Sequence, residues 1–161
     1  MKNILGIVMF FWCINATAQT SAKNHGTRLG PKPYTQKQSL IYIDDGGKLL
    51  LLYSWIEFEI KDLSPEAVDM KRTSFILQLD NNDTIGFKAN TLYSAAVTTN
   101  KGDVLNIACD ITKEELRILT EHRILNILVT VNGASKFNSV VVTEENQRDI
   151  AKNAAIVLSE Q

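Results

Sequence analysis

The chain has 161 residues, 45% of them hydrophobic, and its 17 lysines and arginines nearly balance its 18 aspartates and glutamates. This length suits one domain that can build a hydrophobic core of its own. The near-neutral charge gives no general reason to expect a nucleic acid or a membrane surface as a partner.

The first eighteen residues have the pattern of a cleaved export signal. Lys2 supplies a positive start, Ile4–Ile14 is an apolar run, and Ala16 and Ala18 are the small residues that a signal peptidase reads. The run is shorter than the ~20 residues that a membrane-spanning helix needs. We therefore predict a signal peptide at residues 1–18, export to the periplasm or the extracellular space, and no transmembrane segment after cleavage.

Residues 19–38 are polar, with four cations, two prolines, two glycines and no acid. Such a stretch buries too little apolar surface to fold alone, so we predict that residues 19–38 are a flexible basic leader. A single domain is predicted to follow at residues 39–161. The leader could tether the domain to an anionic partner, or it could be a plain solvated tail. Once Cys13 is removed with the signal, Cys109 has no internal disulfide partner, and its apolar surroundings predict a buried thiol.

The rest of the chain predicts strands that follow one another through short turns. The predicted strands cover residues 40–43, 48–60, 74–79, 84–88, 92–98, 104–109, 124–131 and 137–142. Thr112 with Glu115 is a capping box that begins a short helix, and Thr143 caps a C-terminal helix. The fold class predicted is α+β, with a mainly antiparallel, curled sheet of about eight strands and the two helices packed on it.

The predicted strand at 48–60 carries the most specific group of candidate binding residues. The residues at every second position, Tyr53, Trp55, Glu57 and Glu59, would lie on one face of the sheet. Aromatic rings beside carboxylates are typical of sugar-binding surfaces, and two acids ~6.7 Å apart suit an inverting glycosidase. These four residues are therefore the predicted ligand-binding strip. The alternative is that the rings pack beneath a helix, the first half of the strand is covered on both faces, and the acids mark its solvated half.

Familiar catalytic and cofactor motifs are absent from the sequence. It has no G-x-x-x-x-G-K, G-x-G-x-x-G, H-E-x-x-H, C-x-x-C or G-x-S-x-G pattern. The acids and amides at residues 80–83 do not continue as a calcium loop, and His122 is expected to face solvent at a helix end. We therefore assign no catalytic residue, no metal site and no cofactor.

The chain also shows a resemblance at its two ends. The start closes with Ala16-Thr17-Ala18-Gln19, and the tail combines Ile111–Leu116, the strand 124–129 and a helix with Ile150-Ala151-Lys152. In these features the chain resembles small exported proteins of unknown function of the Bacteroidetes type. The resemblance implies export, and it assigns no activity and no site residues.

Three functions remain open at this point. The leading hypothesis is an exported, non-catalytic domain that binds another envelope or secreted protein and no nucleic acid, through its sheet edges or the basic leader. The alternative is a domain that binds a small ligand, either a lipid or a glycan. The remote alternative is a hydrolase that uses Glu57 and Glu59.

Overall fold

The computed structural model describes residues 23–29, 37–45, 47–58, 63–133 and 137–161, of which 137–139 are described by their backbone only. The predicted signal peptide at 1–18 lies outside these residues. The strands are β1 (Lys23–Leu29), β2 (Gln38–Asp45), β3 (Lys48–Ile56), β4 (Ser74–Leu79), β5 (Thr84–Lys88), β6 (Ala95–Thr99), β7 (Gly102–Asp110), β8 (Ile124–Thr130) and β9 (Phe137–Val141). The helices are α1 (Lys113–Glu121) and α2 (Glu144–Ser159), and two 3₁₀ turns cover Pro65–Ala67 and Met70–Arg72.

The strands form two antiparallel sheets. One has five strands in the order β1-β2-β3-β7-β6, and the other has four in the order β5-β4-β8-β9. The predicted α+β class and the mainly antiparallel pairing are confirmed. The finer details of the prediction, a curled sheet of about eight strands, were only approximate, because nine strands are divided between two sheets whose facing sides share one core.

The predicted flexible leader was wrong for eight of its residues, the seven of β1 and Gln38 at the start of β2. Lys23–Leu29 forms β1, which pairs with all of β2 except Asp45, from Leu29 opposite Gln38 to Lys23 opposite Asp44. The segment does not fold alone. It is held by backbone hydrogen bonds to β2 and by packing against α2, which are tertiary contacts that local composition does not reveal.

The shared core lies between the inner faces of the two sheets. Tyr53 of the five-stranded sheet meets Phe75 of the four-stranded sheet with ring centroids 5.9 Å apart, and Phe75 meets Phe87 at 5.2 Å. Residues 49–54 of β3 are all buried, although they alternate between two faces. The expectation that the first half of this strand is covered on both faces is therefore confirmed.

The helices begin where the sequence predicts. The Thr112 hydroxyl accepts a hydrogen bond from the Glu115 amide at 3.1 Å, and the Glu115 carboxylate accepts one from the Thr112 amide at 2.7 Å. The apolar stripes of both helices face the core, as Leu116, Leu119, Ile150, Ala154 and Val157 are buried. The predicted short helix and C-terminal helix are thus confirmed.

Helix α2 fastens the edge strand β1. The Asn153 amide donates to the Thr27 hydroxyl at 3.0 Å, and Glu160 forms an ion pair with Lys23 at 3.2 Å and lies 3.6 Å from Nε2 of His25. These contacts all lie on the core side of the five-stranded sheet, because Thr27 and His25 are opposite Leu40 and Tyr42. The helix therefore covers the inner face of β1 and β2, and the opposite face of these strands is a separate surface.

Candidate interaction surfaces

The predicted ligand strip is not assembled on one exposed face. The alternation of β3 turns Tyr53 and Trp55 toward the core, where Tyr53 is 0% exposed and Trp55 is half-buried with its ring 5.8 Å from that of Phe58. The rings therefore pack inside the domain, with Tyr53 against Phe75 and Trp55 against Phe58, whereas the alternative interpretation of the sequence placed them beneath a helix. A bound sugar could not stack on Tyr53 in this arrangement.

Glu57 follows the strand instead of continuing it. Its φ of 55° is left-handed, which ends the extended backbone after Ile56 and breaks the two-residue alternation. The exposed Glu57 carboxylate forms an ion pair with Lys37. Glu59 lies outside the described residues, so the spacing of the two carboxylates that the hydrolase reading requires stays a prediction.

Gly102 permits this ending of β3. A Cβ atom on Gly102 would lie 3.1 Å from Cγ of Glu57, and the φ of Gly102 is 109°. After this turn the Phe58 amide donates a hydrogen bond to the carbonyl of Asp103 at 3.0 Å, which holds the chain against the start of β7. Sequence reasoning missed this turn because a glutamate rarely adopts a left-handed φ.

The remaining chemically reactive groups are dispersed. His122 meets Asp80 at 3.2 Å after the last turn of α1, and His25 lies on β1 beside Glu160 of α2. Burial, followed by the charge of Asp110, raises the pKa of the Cys109 thiol to about 12, so this thiol is not a nucleophile at neutral pH. Among the described residues, no group of three or more His, Cys, Asp or Glu side chains could hold a metal ion.

Among the described residues, two buried tyrosine hydroxyls lack hydrogen-bond partners in the core. Both belong to tyrosines on the inner face of the five-stranded sheet, Tyr42 on β2 and Tyr53 on β3. Burial raises the pKa of each hydroxyl, so both stay protonated at physiological pH. An unpaired buried hydroxyl costs about 1–3 kcal/mol. The signal for them in the sequence is weak and consists of the apolar alternation in which each tyrosine lies.

The other side of the five-stranded sheet carries an apolar surface, which we call the outward face. Its residues alternate with those that point into the core, and they are Ile41, Ile43, Leu50, Leu52, Ser54, Ile56, Val97, Val104, Asn106 and Ala108. The apolar members neither belong to the core cluster nor pack against it. Leu50, Leu52 and Ala108 are buried, whereas Ile56 at the end of β3 is 43% exposed.

The outward face has no charge in its centre. Lys48 and Asp110 pair with each other at 3.1 Å at one end of β3, and the centre between them and Ile56 contains only apolar and uncharged polar side chains. Asn106 lies opposite Ser54 there, and its Oδ1 atom is buried without a hydrogen-bond partner. Depletion of charge around a few uncharged polar groups is typical of the buried centre of a protein interface.

No protein-family model matches this chain, and no curated protein and no solved structure matches it. Within the part of the chain that the structure describes, neither helix is long and apolar enough to cross a membrane.

Proposed function

We propose that this chain is an exported, non-catalytic domain that binds another protein of the cell envelope or of the secreted fraction. The outward face of the five-stranded sheet is the observation that supports this proposal. A sheet face that stays in water normally alternates polar side chains with the buried ones of the opposite face. Here both sets are apolar. Leu50, Leu52 and Ala108 in the centre of the second set are already buried. Its margin is accessible, with Ile56 43% exposed, and this margin is suited to being covered by a partner.

Two features of the surface support a protein as the partner. The apolar side chains extend over four adjacent strands, from Ile41 on β2 to Val97 on β6, and both of these residues are half-buried. The polar side chains in the centre, Ser54 and Asn106, are uncharged and buried. An extended apolar surface with little charge is typical of protein interfaces.

The proposal is tested by crosslinking and affinity purification of the tagged protein from the envelope of the cells that make it. We expect one stoichiometric partner with the native chain, and its loss with Ile56→Glu, which adds a charge at the most exposed member of the outward face. Thr84→Glu, an exposed position on β5 of the other sheet, is the matched control and should retain the partner. A partner that binds Ile56→Glu normally would contradict the proposal.

A second candidate function, binding of a small ligand inside the domain, is favoured by the unpaired hydroxyls of Tyr42 and Tyr53. A ligand that accepts hydrogen bonds would satisfy both groups. In an unliganded domain, Tyr53→Phe should raise the free energy of unfolding by about 1 kcal/mol, because it removes a desolvated, unpaired hydroxyl. If the hydroxyl binds a ligand, the same change should lower the stability of protein purified from its source and release the ligand.

Native mass spectrometry of the purified chain separates these outcomes. Thr27→Val provides the comparison, because the Thr27 hydroxyl is also buried on the same face but is already bound to Asn153. Replacing this paired hydroxyl should destabilise the domain whether or not a ligand is present. A stabilising Tyr53→Phe with no added mass on the native chain would count against the small-ligand function.

A further inference from the structure

We propose that two copies of this chain pair antiparallel through β9, joining their four-stranded sheets into one sheet of eight strands. Among the strands that the structure describes, β9 is the edge of the four-stranded sheet, with β8 on one side and no described strand on the other. The inference concerns this edge and is independent of the outward face of the five-stranded sheet.

The direction of the free backbone groups follows from the register. Leu125 and Val142 share a hydrogen bond at 2.9 Å, and the β8–β9 register places Ile127 opposite Val140 two residues further. Because bonded and non-bonded pairs alternate along an antiparallel ladder, the backbone groups of Val140 and Asn138 point toward β8. Those of Phe137, Ser139 and Val141 therefore point away from β8, toward the open edge.

These three residues are matched to a second copy of themselves. If two β9 strands run antiparallel about a two-fold axis at Ser139, then Ser139 pairs with its own copy and Phe137 pairs with Val141. Each pair exchanges two hydrogen bonds, so the three outward-pointing residues of both strands are all satisfied. Symmetric registers shifted by two residues leave at least one of the three without a partner.

The composition of β9 does not protect the edge. Natural sheets block an open edge with charges, especially lysine, with proline, or with a covering element. The strand reads Phe137-Asn138-Ser139-Val140-Val141, without charge, proline or glycine, and the Val141 side chain is 72% exposed. Two of its five residues are β-branched and one is aromatic, which favours strand pairing.

The other three edges of the two sheets are protected. Strand β1 has Lys23 and Arg28 exposed on it and packs against α2. Strand β6 contacts the 3₁₀ turn Pro65–Ala67. Strand β5 has Gly86 at its centre and an exposed Lys88 at its end. Of the edges described, β9 is the one suited to pairing.

The neighbouring surface is compatible with this dimer. Val141 lies beside Asn126 of β8, which donates to the amide oxygen of Gln78 on β4 at 2.9 Å. This row of the four-stranded sheet is uncharged, so a second copy brings no like charges together on it. An isologous dimer also closes on itself, which prevents the edge from propagating into fibres.

The test is the concentration dependence of the molecular mass of the exported chain, measured by analytical ultracentrifugation. We expect a dimer, and Ser139→Pro should raise its dissociation constant about 30-fold or more, since two symmetric backbone bonds are lost. The Ser139 amide does not bond to β8, so proline at this position leaves the β8–β9 ladder intact. Ser139→Ala keeps the amide and should dimerise like the native chain.

A crosslinking experiment keeps the proposal testable if Ser139→Pro does not fold. Ser139→Cys places two thiols opposite each other at the two-fold axis and should give a disulfide-linked dimer on mild oxidation. Thr84→Cys, on the other edge strand of the same sheet, β5, should remain monomeric under the same conditions. A native chain that is monomeric at all concentrations would overturn the proposal. So would a dimer that Ser139→Pro leaves unchanged, or capture of a different protein at β9 in place of the second copy.

Discussion

The two sheets share one core but differ in what lies on their second faces. In β4 of the four-stranded sheet, buried and half-buried residues alternate strictly from Ser74 to Leu79. In β3 of the five-stranded sheet, residues 49–54 are buried without interruption. The sequences differ in the same way, since β4 reads SFILQL and β3 reads KLLLLYSWI. Strict alternation thus marks a strand with one covered face, and an uninterrupted apolar run marks a strand with two.

The sheets also differ in the chemistry of their buried side chains. The described residues include three buried ionisable acids with raised pKa values, Tyr42, Tyr53 and Cys109, and all three lie on the five-stranded sheet. The strands of the four-stranded sheet carry one ionisable side chain in their described parts, Lys88, and it is exposed. The five-stranded sheet should therefore make the fold sensitive to alkaline pH, whereas the four-stranded sheet should respond to changes in packing alone.

The largest expected effect tests the alternation in β4. Phe75→Ala removes the ring that joins the two sheets, and we expect it to lower the free energy of unfolding by about 3–5 kcal/mol, since the cavity lies in the shared core. Ile76→Ala, its half-buried neighbour on the other face, should cost about 1 kcal/mol. Urea denaturation measures both. Equal losses would mean that both faces of β4 are covered, as in β3.

A smaller effect tests the alkaline sensitivity of the five-stranded sheet. The unfolded Cys109 thiol ionises near pH ~8.5, whereas the folded one remains neutral until about pH 12. The raised pKa stabilises the fold fully below the unfolded value, and this stabilisation is lost as pH rises toward the folded value. We expect the free energy of unfolding to fall by about 2 kcal/mol between pH 8 and pH 10 through this group.

The control for this effect is Cys109→Ala, which removes the titrating group. The variant should start from a lower stability and then lose less of it between pH 8 and pH 10. Above pH 10 the two buried tyrosines, whose pKa values are also raised by burial, should steepen the loss in both proteins. If the native chain and Cys109→Ala have the same slope below pH 10, the thiol is accessible to solvent in the folded state.

Much of the fold could be predicted from the sequence because the relevant signals are local. The capping box of Thr112, the stripe of α2 and the turn residues between strands depend on neighbours within a few positions. The division into two sheets depends on which strands meet across long separations, as when β3 pairs with β7 and β4 with β8. Strand β1 shows the same limit, because contacts with β2 and α2 hold a segment whose own composition favours disorder.

The candidate site was harder to predict than the fold. Alternation correctly placed Tyr53 and Trp55 on one face, but it could not say that this face meets the core. It also could not foresee that β3 ends at Ile56, because that ending depends on the close approach of Glu57 to Gly102 in β7. The outward face was visible as the even positions of β3, yet its extension over β2, β7 and β6 required the strand order.

The smallest effect concerns the end of β3, where the two sheets differ again. The left-handed positions next to the four-stranded sheet are occupied by Asn82 and Asn132, a residue type that tolerates this conformation. The left-handed position that follows β3 is occupied by Glu57. Glu57→Gly should raise the free energy of unfolding by about 0.5–1 kcal/mol, because glycine relieves the left-handed backbone and the exposed ion pair with Lys37 contributes little. Glu57→Gln keeps the backbone cost, removes the charge, and should change stability by about 0.5 kcal/mol or less.

The same pair of variants connects this conformation to function. Backbone strain that persists at a functional site is retained for the activity of its side chain. If Glu57→Gly is more stable and still binds the partner of the outward face, the left-handed glutamate only ends a strand. If both variants lose the partner while only Glu57→Gly gains stability, the carboxylate at the end of the outward face contacts the partner directly, and the strain holds it there.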